Sequence, residues 1–295
     1  MHIPVLLHEV IEGMQLHKGA TAVDATVGGG GYTRAIAEAV QKEGTVIGLD
    51  QDGGTLEDAR KKLSDVPATL HLVRENFRRV DEVLQTLHLT SIDAIAYDIG
   101  LSSLQLEESG RGFSFLRDEP LLMTFSNTPE TSSFTAKDIV NGWDEEDIAN
   151  VIFGYGEEQH ARRIAASIVE ARREKPFETS KELADCIQAL VPGGGRGPIH
   201  PATKTFQALR IAVNDELNAL KEGLEKGFGA LTSGGRMVVV SFHSLEDRIV
   251  KNFFRDKAKE GLATLITKKP MTPTRQELHD NPRSRSAKLR ILEKL

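Results

Sequence analysis

Nine residues constrain this chain more than any others: Asp24-Ala25-Thr26-Val27-Gly28-Gly29-Gly30-Gly31-Tyr32. They lie between a strand-like run, Thr21-Ala22-Val23, and a helical run from Thr33 to Val40. Consecutive glycines permit positive φ and carry no Cβ, so a ligand can approach the backbone closely. The helix that follows points its free N–H groups into the same crevice. A second strand-like run, Thr45-Val46-Ile47-Gly48-Leu49, then delivers Asp50. An acid about 20 positions after a glycine turn, at the next strand's end, is placed to accept hydrogen bonds from ribose hydroxyls. The pattern is a βαβ unit with a nucleoside-cofactor site.

The spacing narrows the cofactor. A dinucleotide fingerprint needs G-x-G-x-x-G directly after the strand. Starting from Gly28, Thr33 occupies the third glycine's place, and starting from Gly29, Arg34 does. Asp24 to Val27 also separate the glycines from the strand. An acidic strand end repels a pyrophosphate but suits a ligand with a cationic part. The sulfonium and amino group of S-adenosylmethionine are such a part; a generic nucleotide fold is the alternative.

With 295 residues, one large domain or two smaller ones are expected, and 39% hydrophobic residues supply a core. The chain has no run of about 18 apolar residues, and Met1-His2-Ile3-Pro4-Val5 lacks the basic start of a signal peptide. A cytoplasmic protein without a membrane partner is therefore expected. The single cysteine, Cys186, excludes an internal disulfide or a thiolate metal cluster, and it reads as a buried structural residue in a reducing compartment. The net charge of −6 argues against a general nucleic-acid coat but is compatible with a local basic face.

Alternation of strands and helices continues beyond Asp50. Leu6, Leu7, Val10, Ile11 and Met14 predict an amphipathic helix before the first strand. A helix over Leu56 to Leu63, a strand over Thr69 to Val73 and a helix over Val80 to Leu87 follow. Phe77, just past the third strand, can stack on an adenine or plug the core. Ile92 to Tyr97 forms the fourth strand and stops at Asp98-Ile99-Gly100-Leu101-Ser102-Ser103-Leu104-Gln105. The order implies a parallel sheet with ligands at its carboxyl ends.

The alternation then breaks. Gly110 to Phe115 and Ser126 to Ser133 are loop-like, and helices are expected over Thr135–Asn141, Asp144–Phe153, Glu157–Glu174 and Ser180–Leu190. Pro192 to Pro198 reads as a linker. The arrangement is an inserted helical domain over residues 107–203, flanked by a main domain of residues 1–106 and 204–295. Arg162, Arg163, Arg172, Arg173 and Lys175 give its third helix a basic face, suited either to solvent or to phosphates. One long helix is expected through Phe206, Leu209, Val213, Leu217, Leu220 and Leu224. Arg236 to Val240 forms a fifth strand whose lack of alternation predicts burial on both faces. Ser244 is the expected cap of the next helix. Leu262–Thr267 and Ala287–Leu292 form a closing hairpin around the basic turn Asn281 to Ser286.

The strand ends supply the chemistry. An acceptor carbonyl or carboxylate at Asp98-Ile99-Gly100 would localise the lone pair of a conjugated exocyclic amine toward a methyl carbon, although a purely cofactor-binding Asp98 fits equally. A base must leave its stack to reach such a site. His243, at the end of the fifth strand, either orients that base or takes up a proton, or else only holds the turn.

Several longer stretches bear on the same question. They are His2 to Glu9, Asp24 to Tyr32, Asp98 to Gln105, Arg111 to Phe115, Tyr155 to Glu158, His200 to Arg210, Ser241 to Arg248 and Asn281 to Ser286. In these the chain resembles the bacterial ribosomal RNA small-subunit methyltransferase H family, of MraW type, over nearly its whole length. The resemblance implies an α/β fold, a Rossmann-like class I methyltransferase sheet with an inserted helical domain. It implies transfer of a methyl group from S-adenosylmethionine to N4 of a cytosine in the decoding region of 16S rRNA, within the small ribosomal subunit. It also implies cofactor contacts from Gly30, Gly31, Tyr32, Asp50, Phe77, Asp98 and Gln105, and RNA recognition by the helical domain. Asp98 and His243 are the candidate catalytic residues, and no metal is expected.

Two departures stand out. Tyr32 replaces the family's usual His, which is tolerable where the backbone does the binding. Leu122-Met123-Thr124-Phe125 replaces the usual Asp-Met-Arg-Met, so a carboxylate and a guanidinium are missing. Two alternatives therefore stand beside the expected activity: an amino-methyltransferase acting on another RNA or on DNA, and a cofactor-binding ribosome assembly factor with weakened catalysis.

Overall fold

The computed structural model describes residues 4–101, 106, 109–127, 134–190 and 200–295. The expected linker over Pro192 to Pro198 and the residues Ser102 to Gln105 lie outside them, as does most of the polar loop ending at Ser133. The chain divides into two compact units, residues 1–102 with 217–295 and residues 103–216.

In the first unit, α1 (Leu7–Met14) leads into β1 (Thr21–Asp24), α2 (Gly31–Val40), β2 (Thr45–Asp50), α3 (Gly53–Lys62) and β3 (Thr69–Arg74). A short 3-10 turn over Phe77–Arg79, α4 (Val80–Thr86) and β4 (Ile92–Asp98) complete this half. The sheet order is β3-β2-β1-β4-β5-β7-β6, with β5 spanning Leu231–Ser241, β6 Ala263–Leu265 and β7 Lys288–Lys294. β1 to β5 run parallel, whereas β7 is antiparallel to both β5 and β6. Strand order reverses between β1 and β4, which opens a crevice at their carboxyl ends.

Each central strand is buried on both faces, and its side chains divide between two cores. Ile95 and Tyr97 of β4 join Met237 and Val239 of β5 in one core, against Leu220, Leu224, Phe228 and Phe254. Ala94, Ala96, Val238 and Val240 face the other core, with Val10, Met14, Tyr32 and Ile36. Burying one such large aliphatic side chain contributes about 1.5–3 kcal/mol. The small alanines of β4 let α1 pack low, so low that a Cβ on Gly13 would come within 2.6 Å of Ile291 Cδ1.

The expected closing hairpin is realised differently. β6 and β7 do pair antiparallel, but a helix α12 (Arg275–Asp280) and a 3-10 turn over Pro282–Ser286 separate them, and β7 inserts between β5 and β6. The single long helix is also corrected. It is two helices, α9 (Thr203–Asn214) and α10 (Glu216–Ala230), because Asp215 adopts φ 48°, a left-handed conformation that Asp tolerates better than most residues.

In the second unit, α5 (Ala136–Gly142), α6 (Glu145–Gly156), α7 (Ala161–Glu174) and α8 (Ser180–Ala189) precede α9. Thr135 and Thr179 close capping boxes with Asp138 and Glu182. α7 begins four residues later than Glu157, which instead ends α6 at φ 49°. Cys186 is half-buried rather than buried, with Ser167 Oγ 3.5 Å from its sulfur.

Candidate active site

The loop after β1 is fastened to both neighbouring strands. Ala25 N donates to Ala96 O and Val27 N to Leu49 O, each at 2.9 Å. The turn then closes with Gly30 N on Val27 O at 2.8 Å. Gly28 at φ 47° and Gly30 at φ 83° occupy the left-handed region. Gly31 is needed for a different reason: a Cβ there would lie 2.3 Å from Pro4 Cγ. At Gly29 a Cβ would meet nothing within 4 Å, so the backbone there is open on that side.

Asp50 ends β2 and is fully engaged by the backbone. Oδ2 accepts Gly28 N and Oδ1 accepts Asp52 N, both at 2.9 Å. Burial raises its pKa, and these N–H donors offset part of that rise. Each carboxylate oxygen still has a second lone pair for a hydroxyl donor. The same residue therefore braces the glycine turn and offers acceptors at its edge.

Asp98 ends β4 in a contrasting environment. Its N–H donates to Thr26 Oγ1 at 2.8 Å, but its buried Oδ1 has no hydrogen-bond partner among the described residues. Burial first, then the charges of Asp24 and Glu246, push its carboxyl up to about 8. Asp24 is itself buried, accepting from Thr33 Oγ1 at 2.6 Å and Thr26 N at 3.1 Å. Desolvation raises it to about 6 despite those bonds. Three carboxyl groups at the ends of β1 and β4 and just past β5, two of them (Asp98 and Glu246) with a buried oxygen unpartnered among the described residues, form a site whose chemistry calls for a cation. A sulfonium or ammonium fits that donor set, and a pyrophosphate does not.

Tyr32 does not turn its ring to the crevice. It is buried among Val5, Ile36 and Val40, and its hydroxyl donates to Val5 O. Its available contribution to a cofactor is its backbone. Phe77 packs edge-to-face on Tyr97 with centroids 5.6 Å apart, and a Cβ on Gly223 would come within 2.6 Å of its ring. The ring therefore plugs the core, although it remains partly exposed. Gln105 falls outside the described residues.

His243, not Ser244, caps α11 (Ser244–Lys259): its Nδ1 accepts Glu246 N at 3.4 Å. The ring of a His at this position reaches the N3 amide as a Ser side chain would, and that leaves Ser244 as the first helical residue. Glu246 Oε2 accepts the N–H groups of Phe242 and His243 at 2.9 and 3.2 Å. His243 Nε2 lies 3.0 Å from Glu246 Oε1 but out of line, so neither atom gains a hydrogen bond. Sequence reasoning missed Glu246. Its signal is the capping-box spacing from His243, which the pattern hides because His is a rare cap.

Within the helical unit the unusual segment is well held. Met123, at φ 58°, donates its N–H to Arg111 O at 2.7 Å, and Asn214 brackets it by accepting Phe125 N and donating to Met123 O, each at 2.7 Å. Phe125 stacks on Phe113, and Phe115 stacks on His200. Local order over Leu122 to Phe125 therefore does not need the missing charges. The basic face is less free than its sequence suggests. Arg172 donates to Val140 O in the last turn of α5 and to Trp143 O just past it, while Arg173 pairs with Glu170 and Lys175 with Glu182. Arg162 and Arg163 are exposed and have no ion-pair partner among the described residues.

Strand order, glycine turn and the two rim carboxylates together define a class I methyltransferase. A solved Clostridium thermocellum protein described as a candidate rRNA methylase shares the fold, with a TM-score of 0.50 at 13% identity and all of both chains covered. The MraW methylase family's model matches residues 1–295, and the chain belongs to that family. Three relatives are each named ribosomal RNA small subunit methyltransferase H. The Brevibacillus brevis protein is 41% identical, covering 100% of this chain and 98% of its own. The Persephonella marina protein is 44% identical over 100% and 99%. The Deinococcus radiodurans protein is 46% identical over 99% and 89%.

Proposed function

We propose that this protein transfers a methyl group from S-adenosylmethionine to the exocyclic N4 of a cytosine in the decoding region of 16S rRNA, within the small ribosomal subunit in the cytoplasm. The observation that carries the reading is the buried, unpartnered Oδ1 of Asp98 beside the glycine turn. Bound S-adenosylmethionine supplies an electrophilic methyl group on a cationic sulfur. Gly30 and Gly31 give the close backbone approach, Tyr32 contributes its backbone, and Asp50 receives the ribose hydroxyls. Phe77 lines the adenine side, and Gln105 is a further contact implied by family resemblance.

Asp98 does two things in this reading. A cation beside Oδ1 favours the ionised carboxylate, which otherwise holds its proton up to about pH 8. The carboxylate so formed accepts an N–H from the cytosine amine and localises its lone pair. His243, held through Glu246, orients the base, and the amine's surplus proton passes to water. No dedicated base is required.

The alternative of an assembly factor with weakened catalysis is disfavoured by the ordered Leu122 to Phe125 segment and the intact rim. The test is methyl transfer to small ribosomal subunits, to free rRNA and to DNA, with mass mapping of the modified nucleoside. Methylation of the subunit at a cytosine amine is expected. Transfer to DNA alone, or binding without transfer, would remove the reading.

A further inference from the structure

We propose that the segment between β6 and β7 is a phosphate-contacting strip, by which the methyltransferase unit itself grips the RNA backbone next to the target nucleotide. The inference rests on the rRNA reading above and adds to it a second contact surface, on a different part of the chain from the helical unit.

The segment is fixed to the rim of the site at both ends. At one end, Glu277 Oε1 of α12 accepts Leu6 N at 2.7 Å. Leu6 follows Pro4, which is packed on Gly31, and Val5, whose carbonyl accepts the Tyr32 hydroxyl. At the other end, the 3-10 turn over Pro282–Ser286 runs into β7, whose first residue Lys288 pairs with Ser241, the carboxyl end of β5. Met271 and Leu289 exchange backbone hydrogen bonds of 2.9 Å, which ties the middle of the segment to the same strand. The segment therefore runs from beside the glycine turn to the end of β5, along the carboxyl edge where Asp98 sits.

Its charge is the reverse of the chain's. Lys268, Lys269, Arg275, Arg283 and Arg285 are all exposed, in a protein of net charge −6. The carboxylates between them are already occupied: Glu277 by Leu6 N, and Asp280 by Gln276 and His279. Lys268, Lys269, Arg275 and Arg285 have no hydrogen-bond or ion-pair partner among the described residues. Other exposed cations of this unit do have carboxylate partners, as Lys61 has Asp58, Arg79 has Glu82 and Arg255 has Asp256. A run of unpaired like charges repels itself, and a polyanion lying along it relieves that repulsion while releasing counterions. Exposed point charges spread along a segment match a phosphate backbone rather than a single acidic side chain.

The test uses the full chain and small ribosomal subunits. A variant carrying Lys268→Gln, Lys269→Gln, Arg275→Gln and Arg285→Gln is compared with wild type for subunit affinity across a potassium chloride series. Subunit KM, kcat and calorimetric binding of S-adenosylmethionine are measured alongside. The expected result is a log–log salt slope shallower by about three to three and a half, since each of the four lost phosphate contacts removes about 0.7–0.9. Subunit affinity should fall at least tenfold and KM rise with it, while cofactor affinity and kcat stay within twofold, which also shows the variant is folded. An unchanged slope overturns the proposal, as does weaker affinity at an unchanged slope. Failure of the functional reading looks different: the wild type would transfer no methyl group to the subunit, while the slope comparison would still be measurable by binding alone.

Discussion

Asp50 and Asp98 end neighbouring parts of one sheet and share a residue type, yet the protein treats them in opposite ways. Asp50 is filled by backbone donors, Gly28 N and Asp52 N. Asp98 keeps a buried oxygen with no donor among the described residues, and burial, followed by the charges of two further carboxyl groups, raises its pKa. The first arrangement is complete without ligand and suits weak, neutral hydroxyl donors. The second keeps its proton up to about pH 8 without ligand and is suited, once ionised, to a positive group. In the proposed function, cofactor selectivity comes from what one rim lacks, and positioning from what the other already has.

The contrast can be broken in several ways. Asp50→Ala should have the largest effect, weakening S-adenosylmethionine binding by about 3 kcal/mol, because it removes charged acceptors and the brace on Gly28 together. An unchanged dissociation constant in calorimetry would remove both roles. Stability comes next. A carboxyl raised in the fold stabilises fully below its unfolded value near 3.8 and progressively loses that contribution as pH rises toward about 8. The ligand-free protein should therefore melt lower at pH 8.5 than at pH 6, and Asp98→Asn should recover on the order of 2 kcal/mol at the higher pH. Equal melting shifts for Asp98→Asn and Asp50→Asn would erase the difference between the rims.

A somewhat smaller effect is expected on chemistry. Asp98→Asn keeps an acceptor but not the charge, so single-turnover methylation at saturating cofactor and subunit should fall about tenfold, or roughly 1.4 kcal/mol. A variant that needs more cofactor yet reaches the wild-type saturated rate would leave Asp98 a binding residue only. Tyr32→Phe should do least. Losing the hydroxyl's bond to Val5 O should cost about 1 kcal/mol of stability with cofactor affinity unchanged. A large loss of cofactor affinity would mean that the ring, not the backbone, meets the ligand.

Much of this rim is legible in the sequence because glycine and acid at strand ends have few alternative explanations. Gly28, Gly30, Asp50 and Asp98 all fall where their spacing puts them. The misreadings share a cause, which is that pattern reports what a residue can do and not what has already claimed it. Apolar spacing runs unbroken from Phe206 to Leu224, yet one left-handed residue, Asp215, splits the helix. Arg172 looks like part of a solvated stripe but is committed to two carbonyls at the end of α5. Phe77 at a strand end can serve ligand or core; it packs on Tyr97 yet stays partly exposed, so its sequence reading keeps both roles open. Ser244 is the statistically favoured cap, but the ring of His243 reaches the amide first.

The link between Leu6 and Glu277 has a consequence for how the molecule comes to be. Those partners are 271 positions apart in sequence. During synthesis the first dozen residues wait, unanchored on that side, until the ribosome has delivered everything up to α12. Strand β7, an interior strand of the sheet, arrives later still. Distant pairings of this kind form slowly, because chain closure must precede any reward from the contact. The lip of the cofactor crevice is thus among the final parts to assemble, and a nascent chain still lacking that stretch has a glycine turn but no finished edge. A crevice built this way is complete only once both Glu277 and β7 have been synthesised.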